Sequence, residues 1–188
     1  LQFGKGEKYF GVCTLLATLP GLPMFGHGQL EGFSEKYGME FRRAQRDESV
    51  DTGLLEHHLR VISPLLRQRA LFSGARHFRL FDFYDESGHV DESVYAYTNQ
   101  FEGKRTLVVY KNATGDRRRG WLRESAPGPD GRVDSIGQAL GINPALPRVL
   151  VCQNARTGEQ LGFDSREILS HGLSVELDGF ESLVFVNV

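Results

Sequence analysis

The chain has 188 residues, with 22 Lys plus Arg against 24 Asp plus Glu, a formal charge of −2 and a pI near 6.3. It therefore lacks the basic excess that phosphate-backbone binding requires. Hydrophobic residues at 40% and aromatics at 11% supply a packed core and exclude wholesale disorder. The longest apolar run, from Val12 to Leu19, falls far short of the ~20 residues of a membrane helix. Cys13 and Cys152 make no disulfide framework and have no metal-ligand spacing, so ordinary buried thiols are expected, with no metal and no cofactor. The chain opens Leu1-Gln2-Phe3, without an initiator Met or a charged-then-apolar leader, which reads either as a segment removed or as a piece of a longer protein.

In chain order, Val12, Leu15, Leu16 and Leu19 recur at helical spacing from Lys8 until Pro20-Gly21 stops the pattern. Leu22-Pro23-Met24-Phe25 reads as a short buried strand that empties into a glycine-rich loop. The polar stretch from Ser34 to Thr52 reads as a long surface loop. Leu54, Leu55, Leu59 and Ile62 mark a second amphipathic helix, and Ser63-Pro64 reads as a cap and first helical position of a further helix, or of a kinked continuation, running from Pro64 to about Leu71. Past Ser73-Gly74 the pattern changes to β-branched and aromatic runs: residues 78–83, 94–98, 106–111, 149–153, 173–177 and 183–188. Asp178-Gly179 between the last two predicts a closing hairpin. The Pro- and Gly-rich connection from Pro127 to Pro147 carries one expected helical turn, Ser135 to Leu140. The residue pattern thus divides the chain into a helix-rich unit, 1–73, and a β-rich unit, 74–188.

The densest set of reactive side chains is Gly26-His27-Gly28-Gln29-Leu30-Glu31-Gly32, with Glu35 and Glu40 beyond. Glycines flanking His27 let a ligand approach the backbone, and a His with carboxylates can supply acid and base. The same residues also fit a plain turn with solvated carboxylates, the reading that residue types alone favour. Gly4-Lys5-Gly6 lacks phosphate-loop spacing. His57-His58 are adjacent on a helix, so they cannot make a two-histidine metal site, and a solvated helix face is expected. Arg117-Arg118-Arg119 beside Asp116 reads as solvated charge, and Asn112-Ala113-Thr114 as a turn that also matches a glycan acceptor. Trp121, the only tryptophan, fits core or edge packing, or stacking on a sugar ring.

The stretch from Leu19 to Gln29 resembles the segment around the eighth barrel strand of α-amylase family glycoside hydrolases (family 13). Ile62-Ser63-Pro64-Leu65-Leu66-Arg67-Gln68-Arg69 is similar to the last barrel helix of that family. Residues 94–99 and 105–112 resemble the opening strands of its C-terminal β domain, and residues 172–177 and 182–186 its final hairpin. The resemblance implies an α+β chain: a helix-rich remnant of the end of a (β/α)8 TIM barrel over 1–73, followed by an antiparallel all-β sandwich domain over 74–188. It implies the C-terminal part of an enzyme that acts on α-glucosidic bonds with retention, the missing N-terminal barrel portion being its partner and an α-glucan or oligosaccharide its substrate. Retention needs two carboxyls about 5–5.5 Å apart, and none of the family's catalytic motifs occurs here, so no catalytic residue is expected in this chain. His27 and Gln29 are the expected substrate-binding positions, Gln29 standing where the family often carries Glu. An exposed apolar flank on the helical half follows as well. A non-catalytic carbohydrate-binding or interaction module is the competing expectation; neither reading calls for nucleic acid or membrane.

Overall fold

In the computed structural model, residues 4–35, 43–146 and 149–186 are described. Helix α1 (Glu7–Thr18) is followed by α2 (Thr52–Val61), α3 (Ser63–Arg67) and α4 (Ala70–Ser73). Four strands follow: β1 (Arg79–Tyr84), β2 (Val94–Phe101), β3 (Lys104–Lys111) and β4 (Arg118–Ser125). The remainder is α5 (Ile136–Ala139), β5 (Val149–Asn154), β6 (Gln160–Asp164), α6 (Ser165–His171), β7 (Leu173–Leu177) and β8 (Ser182–Val186). All eight strands join one antiparallel sheet in the order β6-β5-β8-β3-β2-β1-β4-β7.

The chain connectivity forces this sheet to curl. β7 and β8 lie five strand spacings apart, about 24 Å in a flat sheet. The link from Leu177 to Ser182 can span only about 17 Å when fully extended. The curled sheet is nearly closed and barrel-like. Its hollow is filled by Phe81, Phe83, Leu107, Val109, Leu122, Leu173, Leu177 and Phe185 and sealed by Ile136, Leu140 and Ile168. β2, β3 and β8 are also buried on their outer face, where Tyr97, Val108 and Val184 meet Phe10, Cys13, Ala17, Leu65 and Phe72 of the helices. This is why β3 and β8 read as unbroken apolar runs where a half-buried strand would alternate.

The fold class expected from the resemblance is therefore corrected. The structure is an all-antiparallel eight-stranded, barrel-like sheet with 24% helix, matching a C-terminal β domain and not a helix-rich TIM-barrel remnant followed by a two-sheet sandwich. The expected strand at Leu22–Phe25 is absent; the segment is irregular, with Leu22 91% and Met24 79% exposed. The expected closing hairpin is absent too, because β7 pairs with β4 while β8 pairs with β3 and β5. Ser63 lies inside α3 and does not cap it. Glu40 falls outside the described residues.

Polar groups lock the helices onto the sheet. Arg69 donates to the carbonyls of Ala17 (2.8 Å), Leu19 (2.6 Å) and Gly21, satisfying carbonyls at the end of α1 with a cation, the sign its dipole favours there. Asn99 Nδ2 donates to the carbonyls of Phe72 (3.0 Å) and Gly74 (2.7 Å), and the hydroxyls of Thr18 and Tyr97 meet at 2.6 Å. At Gly11 the helix lies directly on the Tyr110 ring: a Cβ there would sit 2.1 Å from Tyr110 Cε2, and Tyr110 is fully buried. Gly11→Ala should therefore destabilise the chain by about 1–3 kcal/mol through overpacking. Gly53→Ala, on α2, where a Cβ would meet only Asp51 Oδ1 at an ordinary contact distance of 3.6 Å, should raise stability by roughly 0.5–1 kcal/mol. Urea unfolding midpoints of the two variants would show opposite signs.

Candidate functional site

The loop after α1 is built by turns over residues 27–32, closed on itself and tied to the start of α2. Phe33 N–H donates to the Gly28 carbonyl (2.8 Å), and Asp51 N–H donates to the Glu31 carbonyl (2.9 Å). Lys5 pairs with Asp51 at 2.7 Å. Gly28 has φ +67°, and a Cβ on it would lie 2.7 Å from Phe33 Cβ, so the turn needs glycine on both conformational and steric grounds.

His27 projects outward, its ring centroid 6.3 Å from that of Phe33. Gln29 is half-buried and faces the other way. Its Oε1 accepts from Gly26 N–H (3.0 Å) and its Nε2 lies 4.0 Å from Cys13 Sγ. The structure therefore places the two residues in one turn but does not converge their side chains.

Three carboxylates beside this loop, those of Glu35, Glu48 and Asp51, are committed to backbone donors, whereas Glu31, in the loop itself, engages through its backbone carbonyl. Glu35 accepts from the N–H groups of Gln45 (2.7 Å) and Arg46 (2.9 Å). Glu48 accepts from Ser34, side chain and backbone, and these bonds hold its carboxyl below the usual carboxylate range. Asp51 is held low by its bond from Lys5 and by the Leu54 N–H. Hydrogen bonds that favour the ionised form remove the capacity to donate a proton near neutrality, the opposite of what a general acid needs.

The structure also corrects the reading of His57-His58 as a solvated face. His58 is 1% exposed, with Nε2 2.8 Å from Tyr9 Oη, whose hydroxyl also lies 3.4 Å from the Gln29 carbonyl. The assignment that satisfies this network is His58 Nε2–H donating to Tyr9, which donates to Gln29, a relay that anchors the loop from below. Leu54, His58 and Val61 share the i, i+4, i+7 spacing of one helix face, the signal that would have placed His58 inside. Arg117 and Arg119 pair with Glu176 at 3.0 and 2.6 Å along the β4–β7 ladder, and Asn112 accepts from the Tyr110 hydroxyl at 3.2 Å. Cys13 and Cys152 are buried, and burial pushes both thiols up to about 11. Among the described residues no cluster of three or more His, Cys, Asp or Glu could hold a metal ion, and no helix is long and apolar enough to cross a membrane.

Burial pushes the His58 imidazole below its ordinary value, and the neighbouring His57 adds to the shift; burial lowers His57 likewise. Both are depressed in the folded state, so below the unfolded value of about 6.5 the unfolded chain binds more protons and stability falls. Urea midpoints should accordingly be flat above about pH 7 and decline from pH 6.5 downward. His58→Gln should weaken the chain at pH 7.5 and make the decline shallower.

No family model matches the chain, and no curated protein matches it in sequence. Solved structures do match in fold. The α-amylase from Geobacillus thermoleovorans, complexed with acarbose, aligns over 96% of this chain and 33% of its own, at 16% identity and TM-score 0.57. The noncanonic maltogenic α-amylase AmyB from Thermotoga neapolitana aligns over 97% and 36%, at 13% identity and TM-score 0.60. CldA, a cyclomaltodextrin glucanotransferase with a three-domain ABC distribution, aligns over 98% and 33%, at 14% identity and TM-score 0.57. The chain thus spans about a third of the length of these enzymes and shares the fold of the C-terminal domains of α-amylases.

Proposed function

We propose that this chain is the C-terminal module of an α-amylase-like enzyme acting on α-glucosidic bonds with retention, whose catalytic carboxylates lie on residues outside it. The observation that carries this reading is the near-complete coverage of the chain by a fold that takes up only a third of each matched enzyme. The committed state of Glu35, Glu48 and Asp51 supports it, because each ionised carboxyl is consumed in holding backbone rather than offered to a substrate. In this reading residues 1–73 form the part that meets the rest of the enzyme, and residues 74–188 the β unit behind it. Leu22 and Met24, both exposed on the irregular segment before the loop, supply an apolar flank for that contact. His27, turned outward, is the residue that reaches the rim of the sugar site. Gln29, tied to Gly26 and held by the Tyr9–His58 relay, sets the shape of the turn.

The purified chain should release no reducing sugar from starch or maltoheptaose. Turnover that disappears in Glu31→Gln would overturn the reading, because it would place the chemistry in this loop.

A further inference from the structure

The Pro- and Gly-rich segment between β4 and α5 is held down by one side chain. Arg79, at the start of β1, is 5% exposed and donates from Nε to Asp134 (2.6 Å) and from Nη2 to Asp130 (2.9 Å). Gly128 lies flat on that guanidinium, where a Cβ would overlap Nη1. Asp130 Oδ1 also accepts from Arg132 N–H (3.2 Å), and the Arg132 carbonyl accepts from Gly128 N–H (2.8 Å). The turn that carries Arg132 is therefore tied to a buried cation. Beside this staple opens a cleft of about 500 Å³, inside the ~300–1,000 Å³ range of small-ligand sites. Three separate stretches wall it: Arg76 and His77 from the link before β1, residues 98–100 of β2, and the turn with the start of α5.

The charge of this cleft departs from that of the chain. The whole protein carries a formal −2, but the cleft walls hold three guanidinium groups, of Arg76, Arg79 and Arg132, against the two carboxylates of Asp130 and Asp134. Both carboxylates are turned onto Arg79, so they are spent on the buried cation. Arg76 and His77 are exposed and have no hydrogen-bond or ion-pair partner among the described residues. Arg132, its side chain 73% exposed, comes no nearer than 3.9 Å to Asp134. Gln138 uses its Oε1 to accept from Ser135 N–H (2.9 Å), which leaves Nε2 to donate. The uncommitted groups of Arg76, His77, Arg132 and Gln138 all offer N–H donors.

We infer that this cleft binds a small phosphate-bearing anion, a phosphomonoester or free phosphate. Guanidinium forks match phosphate oxygens in bidentate geometry, and charge-assisted hydrogen bonds of this kind are the strong ones. A phosphate presents three or more acceptor oxygens, enough to engage donors that arrive from separate stretches of chain. A carboxylate presents two and leaves part of the donor set unused. The excess of one positive charge is too small to hold a polyanion, so the occupant is a small molecule.

Calorimetry of the chain against inorganic phosphate and glycerol 3-phosphate, at constant ionic strength, should show saturable binding of a single equivalent. The thermal unfolding midpoint should rise with the concentration of either ligand. Arg76→Gln and Arg132→Gln, both exposed and outside the core, should each weaken binding about tenfold. Arg118→Gln, an equal loss of charge on an exposed position at the far end of β4, should leave it unchanged. Tighter binding of the ester assigns the cleft to organic phosphates, and tighter binding of the free ion assigns it to phosphate itself. Equal binding of succinate would overturn the phosphate assignment. No binding, an equal loss in Arg118→Gln, or full binding in both Arg76→Gln and Arg132→Gln would overturn the site. The amylase-module reading is independent of these results and is tested by the turnover assay.

Discussion

Helix α1 can lie flat on the sheet only because residue 11 has no side chain. The Tyr110 ring fills the space a Cβ would take, and Tyr110 is itself enclosed, so ring and helix hold each other in register. From that contact the outer core spreads to Tyr97, Val108 and Val184, and burying these makes β2, β3 and β8 a two-sided interior. Strands buried on both faces have no solvent side to relax toward, so errors of register there are costly. The rest of the fold is arranged around that fixed centre.

The same centre explains how a polar, glycine-rich loop is held without a core of its own. α1 and α2 meet through Tyr9 and His58, and the relay between them ends on the Gln29 carbonyl. A buried imidazole kept neutral is a polar strut whose loss would free the loop from its base. The loop's ionised carboxylates are used as staples: Glu35 to Gln45 and Arg46, Glu48 to Ser34. Such a loop is preorganised in shape and poor in acid–base capacity, which suits a rim position better than a reaction centre.

How much of this could be read from the residues depended on how local each feature is. β7 was legible to the residue, because Leu173, Val175 and Leu177 alternate inward. The turn at α5 was legible because Ser135 and Gln138 form a capping box. β4 was not, since Arg118, Arg119, Arg123 and Glu124 leave no apolar run. Only Leu122 fills the core from it, while Gly120 makes room for the Phe83 ring. Leu22–Phe25 misled in the opposite sense, an apolar run that pairs with no strand among the described residues. Of the candidate site, His27 and Gln29 were correctly put in one glycine-bounded turn, but their divergence and the Tyr9–His58 support beneath them were invisible. Those contacts join residues 20 and 49 positions apart.

The sequence by itself determined the approximate place of α1, α2 and six of the eight described strands, and that the interior is apolar. These properties depend on near neighbours and on composition. Tertiary structure alone decided which strands pair, that Asp178-Gly179 makes a crossover rather than a hairpin, and that the sheet curls until its edges leave a seam. Strand pairing is decided by long-range burial, and the link from β7 to β8 is too short to span a flat sheet.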